Sequence, residues 1–199
     1  MMNKMVRWLF LFLVMFSFPA YADIDTEKVE GFVKRVTTQG IEELINSNVS
    51  EAEKKERFTK LFNEDLDLDF IGKFVLGRYW KTSSKEQQKK FIDVYRKLNI
   101  QTWSARFDEF KGKKFEFRGV EKSKSKDQAF VNTQVPMKEG APAIVRWRVK
   151  ETNGRMRIVD IIIENVSLAQ TARSEYTAYI NKSPDGVEGL IRNLQSKIK

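Results

Sequence analysis

Residues 145–191 read VRWRVKETNGRMRIVDIIIENVSLAQTARSEYTAYINKSPDGVEGLI. Val145, Trp147 and Val149 alternate with Arg146, Arg148 and Lys150. That period of two predicts a strand with one dry face and one charged face. Asn153-Gly154 is a hairpin-turn dipeptide, because both residues tolerate the left-handed backbone. The strand that follows, 156–166, carries Ile161-Ile162-Ile163 in a row, so it is apolar on both faces. It is therefore expected to be central in a sheet or covered by helices. Residues 167–182 then predict a helix, and Ser183 is expected to cap another with Pro184 at its first position.

The period of two extends back to residue 114. Strands are expected over 114–122, 129–138, 143–151 and 156–166. Their short connections predict an antiparallel meander, with the polar run Ser123–Lys126 as one hairpin tip. Before Gly112 the period is close to 3.6. Val29, Phe32, Val33, Val36, Gly40, Ile41 and Leu44 form one stripe of a helix over 25–47. Ser50 with Glu53 reads as a capping box for a short helix carrying Phe58, Leu61 and Phe62. Asp67 opens a third helix, which Gly77 ends. Thr82-Ser83-Ser84 with Gln87 starts the longest, 84–111. The result is an α+β fold: N-terminal helices, a four- to five-stranded antiparallel curved sheet, then C-terminal helices.

The first 22 residues read as a secretory signal. Lys4 and Arg7 precede an apolar run, Trp8 to Phe18, and Ala20-Tyr21-Ala22 is a small-residue cleavage site. The run is shorter than the roughly 20 residues a spanning helix needs. Cleavage after Ala22 would leave residues 23–199, read as a single domain because no linker, repeat or low-complexity segment divides them. It would also lower the formal charge from +9 by the two units of Lys4 and Arg7. Export disfavours nucleic acid as a partner for the remaining basic surface. The chain has no Cys and no His, which excludes disulfides, a thiol nucleophile, a His-containing triad and a zinc site built from those residues.

The stretch 145–191, with Phe74-Val75-Leu76-Gly77-Arg78-Tyr79-Trp80 upstream, resembles the MlaC-type periplasmic phospholipid-binding family, also called the toluene-tolerance family. The resemblance covers nearly all of residues 23–199. One departure is visible: the family has Glu-Gly-Val-Ser where this chain has Glu164-Asn165-Val166-Ser167. Asn tolerates the left-handed backbone better than most residues, so the exchange is compatible with the fold. The resemblance implies a soluble periplasmic carrier with no catalytic residue, no metal and no cofactor. Phospholipid is the implied ligand, its acyl chains held in an apolar cavity between sheet and helices. Implied partners are an inner-membrane ABC transporter complex with a lipid-binding periplasmic subunit, and an outer-membrane lipoprotein complex. The implied task is to shuttle lipid between the two and so maintain outer-membrane lipid asymmetry.

Periodicity alone does not separate a lined cavity from a filled core, since both need inward apolar side chains. Combined with the resemblance, alternation nominates Phe74, Val75, Tyr95, Trp103, Phe107, Phe117, Val131, Val145, Trp147 and Ile162 as cavity lining. A large pocket is expected, near or above the upper end of the usual ~300–1,000 Å³ range. Leu76-Gly77-Arg78-Tyr79-Trp80 reads either as a helix end with its packing aromatics or as part of a pocket entrance. Asp65-Leu66-Asp67-Leu68-Asp69 has calcium-loop spacing, yet Phe70 and Leu76 stand where the turn Gly and bidentate Glu belong; a helix start is the better reading. Asp160 and Glu164 share a strand face roughly 13 Å apart. That is too far for a glycosidase-type pair, so Asp160 is expected in a structural bond. Arg146, Arg148, Lys150, Arg155 and Arg157 form either a solvated face or a docking surface. Two other classes stay open: an enzyme on a cone-shaped α+β fold, and a lipoprotein carrier or chaperone.

Overall fold

The computed structural model describes residues 23–137 and 140–198; the expected signal segment and the residue 138 end of the second expected strand lie outside them. Helix α1 (Thr26–Lys34) begins where the Asp25 carboxylate accepts from the backbone N–H groups of Glu27 and Lys28. The predicted helix continues, but Arg35–Glu42 is wound as π-helix before α2 (Glu43–Asn46). In α3 (Glu51–Asp65), Ser50 supplies its half of the expected box by accepting from the Glu53 N–H at 3.2 Å. Asp67 caps α4 (Leu68–Leu76) by accepting from the Phe70 N–H at 3.0 Å, which is the helix-start role expected of it. Gly77, at φ +54°, ends α4 and leads into α5 (Arg78–Thr82).

The longest helix, α6 (Lys85–Ser104), opens with a full capping box between Ser84 and Gln87. It stops seven residues short of the predicted residue 111. The Ser104 hydroxyl donates to the Ile100 carbonyl at 2.6 Å, a local bond that competes with helix continuation. Arg106 leaves helical geometry at φ −107°, ψ 6°, and a separate turn, α7 (Phe107–Phe110), follows.

Five strands form one antiparallel sheet in sequential order: β1 (Glu116–Lys122), β2 (Gln128–Val135), β3 (Ala143–Thr152), β4 (Arg155–Ile163) and β5 (Val166–Ser167). Asn153 and Gly154 turn β3 into β4 at φ 52° and 72°. Glu164 and Asn165 turn β4 into β5 at φ 49° and 65°, so Asn165 does occupy a left-handed position. Register places Val131 opposite Trp147 and Trp147 opposite Ile161, with Val145 opposite Ile163. A bulge then shifts the pairing: Arg148 faces Asp160, while Val149 faces Ile158. Val159 is the extra residue. The exposed edge of β4 is covered in two pieces. Leu66 bridges Ile158 and the Asp67 N–H donates to the Ile158 carbonyl at 3.0 Å, while β5 pairs the other half.

Ser167 caps α8 (Leu168–Lys182) by accepting from the Gln170 N–H at 3.0 Å. The expected Ser183-Pro184 start of the last helix is corrected. Ser183 is the C-terminal cap of α8, its carbonyl accepts from the Gly186 N–H in a tight turn, and α9 (Gly186–Gln195) begins after Asp185. Gly186 has φ +55°, which breaks any helix running from Pro184. α4, α6, α8 and α9 pack together beside β4, whereas α1, the π segment, α2, α3 and α7 lie over one face of the sheet.

Candidate functional site

The face of the sheet that carries Val145, Trp147, Ile158, Ile161 and Ile163 does not close completely on its helices. A cavity of about 110 Å³ separates it from the π segment, α2, α3 and the α6–α7 corner. All sixteen side chains lining it are apolar. The wall's buried polar atoms bond to each other: the Trp147 indole N–H donates to the Thr133 hydroxyl at 2.9 Å, which donates to the Val145 carbonyl at 3.0 Å. No ionisable group lines the cavity among the described residues.

Rings set its size. Phe58 meets Phe107 edge-on at 5.1 Å and Phe62 at 5.9 Å, and Phe115 meets Trp147 edge-on at 5.8 Å. The expected pocket, near or above the upper end of the usual ~300–1,000 Å³ range, is corrected downward: these rings fill much of the space between sheet and helices. Val36 and Ile158 are each 1% exposed, while Trp103, Phe110 and Phe115, with Ile41, Leu61, Ile161 and Ile163, are half-buried. The three half-buried rings Trp103, Phe110 and Phe115 bring the cavity towards solvent at the α6–α7 corner. That corner is tied down by two side-chain bonds, Asn46 accepting from the Gly112 N–H at 2.9 Å and Glu42 from the Phe115 N–H at 2.6 Å.

Of the ten nominated residues, Trp103, Phe107, Val145 and Trp147 line this cavity. Tyr95 lines a smaller adjoining cleft of about 40 Å³, which shares Trp103 with the main cavity. Burial pushes the Tyr95 phenol well above its usual range, and pushes that of Tyr176 up to about 12. Val131 is fully buried on the same sheet face, beside Trp147. Phe117 lies toward the sheet edge, with the Lys34 ammonium 5.1 Å from its ring. Phe74 and Val75 sit on α4; the Arg173 guanidinium lies 5.0 Å from the Phe74 ring, and neither residue reaches the cavity wall. Ile162 pairs with Arg146 and faces the opposite side of the sheet from Ile161 and Ile163.

The lining residues not nominated come mostly from elements distant in sequence from the sheet: Val36, Ile41 and Ile45 from the π segment and α2, Phe58, Leu61, Phe62 and the adjoining Leu66 around α3, and Phe110 in α7 with Phe115 after it, together with Ile158, Ile161 and Ile163 on β4. Cross-strand alternation from Val145 and Trp147 carried the signal for Ile161 and Ile163.

The remaining motifs find structural employment. Asp160 accepts from the Ser167 hydroxyl at 2.6 Å and the Ala169 N–H at 3.1 Å, tying β4 to the start of α8. Glu164 accepts from the Ile144 N–H. Arg35 donates to the buried Asp65 carboxylate through both terminal nitrogens, joining the π segment to α3. Tyr79 donates to Asn181, and the Trp80 carbonyl accepts from Gln88 at 2.8 Å, away from the cavity. On the polar sheet face, Arg146 donates to Asn132 at 3.0 Å and Glu121 at 2.9 Å, and Arg148 donates to Gln128 at 2.8 Å. Among the described residues no helix is long and apolar enough to cross a membrane.

The model of the MlaC protein family matches residues 34–196. This chain belongs to the MlaC family. A similar protein is the intermembrane phospholipid transport system binding protein MlaC of Haemophilus influenzae, 26% identical over 136 residues, which are 65% of this chain and 61% of the relative. The match thus spans about three fifths of that relative's length. Among solved structures, the phospholipid-binding protein from Ralstonia solanacearum, determined in complex with a phospholipid, superposes with a TM-score of 0.71 at 20% identity. The superposition covers 86% of this chain and 95% of that one, and establishes a shared fold.

Proposed function

We propose that residues 23–199 act as one phospholipid-binding domain, a soluble periplasmic carrier that holds acyl chains against the apolar sheet face. The observation that carries the reading is the cavity wall, sixteen apolar side chains between sheet and helices in a chain of the MlaC family. Support also comes from the names of the relatives, a phospholipid transport binding protein and a phospholipid-binding protein solved with its lipid.

The physics sets the task. Each methylene taken out of water is worth about 0.8 kcal/mol, so an exposed acyl chain is prohibitively costly to move. A bilayer offers nearly the same shelter. The carrier therefore has to match the membrane rather than outbid it, and exchange stays reversible. A cavity of about 110 Å³ must widen to admit an acyl chain. The rings provide the means: Phe107 and Phe110 sit on the four-residue α7, flanked by the non-helical Arg106 and by Gly112 at φ +75°. Swinging that turn outward would withdraw both rings without disturbing β3 or β4. No bond is made or broken in this function, and no cofactor enters it. Lipid would be exchanged with an inner-membrane ABC transporter complex bearing a lipid-binding subunit and with an outer-membrane lipoprotein complex, after export and cleavage at Ala22.

Mass spectrometry of the purified mature protein, native and after organic extraction, tests the reading. Co-purifying phospholipid at near-equal stoichiometry is expected. A bare protein mass that persists after incubation with phospholipid vesicles would overturn it.

A further inference from the structure

Nine cation–π contacts occur among the described residues, and two of them fall on rings that line the cavity. The Arg106 guanidinium lies 5.7 Å from the centre of the Trp103 ring, and the Lys113 ammonium 5.8 Å from that of Phe110. Both rings are half-buried and both stand where the cavity comes towards solvent. Between the two cations is Glu109, exposed on α7. It accepts from Arg106 Nε at 3.1 and 3.2 Å and from Nη2 at 2.9 Å. The Arg106 hydrogen bonds, with the field of Lys113 added, hold the Glu109 carboxyl below its usual range. The same pairing raises the pKa of Arg106. Two cations and one carboxylate thus meet at the lip of an apolar cavity, on a segment that also carries Asp108, Lys111 and Lys114.

We propose that Arg106 and Lys113 form the subsite for the phosphodiester of the lipid whose acyl chains enter the cavity, with Glu109 holding Arg106 in place until the phosphate arrives. This inference rests on the carrier reading and deepens it. A phospholipid inserted chains-first brings its glycerol to the mouth and its phosphate just outside. That phosphate carries one negative charge, which a guanidinium and an ammonium at the mouth can meet. A guanidinium presents a planar fork that bonds two phosphate oxygens at once, and an ammonium adds a point charge. The aromatic faces beneath them limit the wandering of two long side chains, so less freedom is lost on binding. A purely local role is the competing account. An exposed (i, i+3) pair such as Arg106–Glu109 adds little to stability, and in that role it would leave ligand choice untouched.

The test compares two lipids with identical acyl chains, phosphatidylglycerol and the diacylglycerol that lacks its phosphate. Each is offered in uncharged carrier vesicles, and bound lipid is counted by native mass spectrometry. Wild type should take up phosphatidylglycerol with a preference of roughly tenfold, the size expected for charge-assisted hydrogen bonds at a solvated site. The Arg106→Gln/Lys113→Gln double variant should load both lipids about equally. Lys113→Arg, which keeps the charge, should keep the preference. Equal loading by wild type, or a preference that survives in the double variant, would overturn the subsite and leave the carrier reading standing. Loss of preference in Lys113→Arg as complete as in the double variant would also overturn it. A preference abolished by excess inorganic phosphate would assign the cluster to free anion instead of lipid. Failure of wild type to load either lipid would overturn the carrier reading itself.

Discussion

On the α4–α6–α8–α9 side, Phe91, Leu76, Leu190 and Ile191 are each no more than 1% exposed, while the side facing the sheet leaves about 110 Å³ unfilled. Both sides use the same apolar residue types. The bundle side closes branched aliphatics around one ring cluster, in which Phe91, Tyr95 and Tyr176 pack against one another at 5.8–6.4 Å. The cavity side stacks five aromatic rings, from Phe58, Phe62, Phe107, Phe115 and Trp147, edge-on or tilted. The rings of this side border unfilled space, whereas Phe91 on the bundle side is fully enclosed. The difference separates a scaffold from a space that can change volume.

The comparison breaks first at its phenylalanines. Phe91→Ala should cost about 3–5 kcal/mol, the usual penalty for emptying a close-packed ring site. Phe107→Ala should cost roughly 2 kcal/mol less, because its ring already borders a void and gives up fewer contacts. Denaturant unfolding measures both. Equal costs would mean that the cavity side is packed as tightly as the bundle. The same Phe107→Ala protein should load at least as much lipid as wild type. A middle-sized effect is expected at Thr133→Val, which leaves the Trp147 indole N–H unpaired inside the protein. It should cost about 1–3 kcal/mol by the same measurement.

The smallest effect appears only in alkali and belongs to the bundle side. Burial raises the Tyr176 phenol from about 10 in the unfolded chain to about 12. The folded state thus binds the proton more tightly. The stability this gives is complete below pH 10 and is lost as pH rises from 10 towards 12. Tyr176→Phe should flatten the fall in stability across that window and change little at pH 7. An unchanged alkaline slope would show that the Tyr176 site is more open than the packing implies.

Much of the fold could be read locally because local chemistry decides it. The Asn153-Gly154 turn and the Ser84–Gln87 box are decided within a few residues, and both sit where the sequence places them; the expected strand 156–166 is instead split by the Glu164-Asn165 turn. The misplacements share a different cause. Phe107 and Phe110 fit the stripe of α6, so periodicity ran the helix through Ser104–Arg106, where a side-chain bond and tertiary packing end it. The Val159 bulge resets strand parity, and Ile162 was chosen from three consecutive isoleucines when Ile161 and Ile163 face the helices. Phe58 and Phe62 were recognised as a helix face, yet nothing within fifteen residues says that α3 lies across β3 and β4. Cavity volume was the least legible quantity, because it depends on ring orientations that apolar patterning does not encode.

The central claim, that acyl chains lie between the sheet and the α3–α7 helices, can be tested by tryptophan quenching with phospholipids brominated along their chains. The tryptophans of the described residues divide cleanly: Trp103 and Trp147 line the cavity, and Trp80 sits at the α4–α5 corner. Three single-tryptophan versions of residues 23–199, made with Trp→Phe at the other two positions, should give strong quenching for Trp103 and Trp147 and little for Trp80. Quenching confined to Trp80, or loaded lipid that quenches none of the three, would place the chains elsewhere and contradict the account.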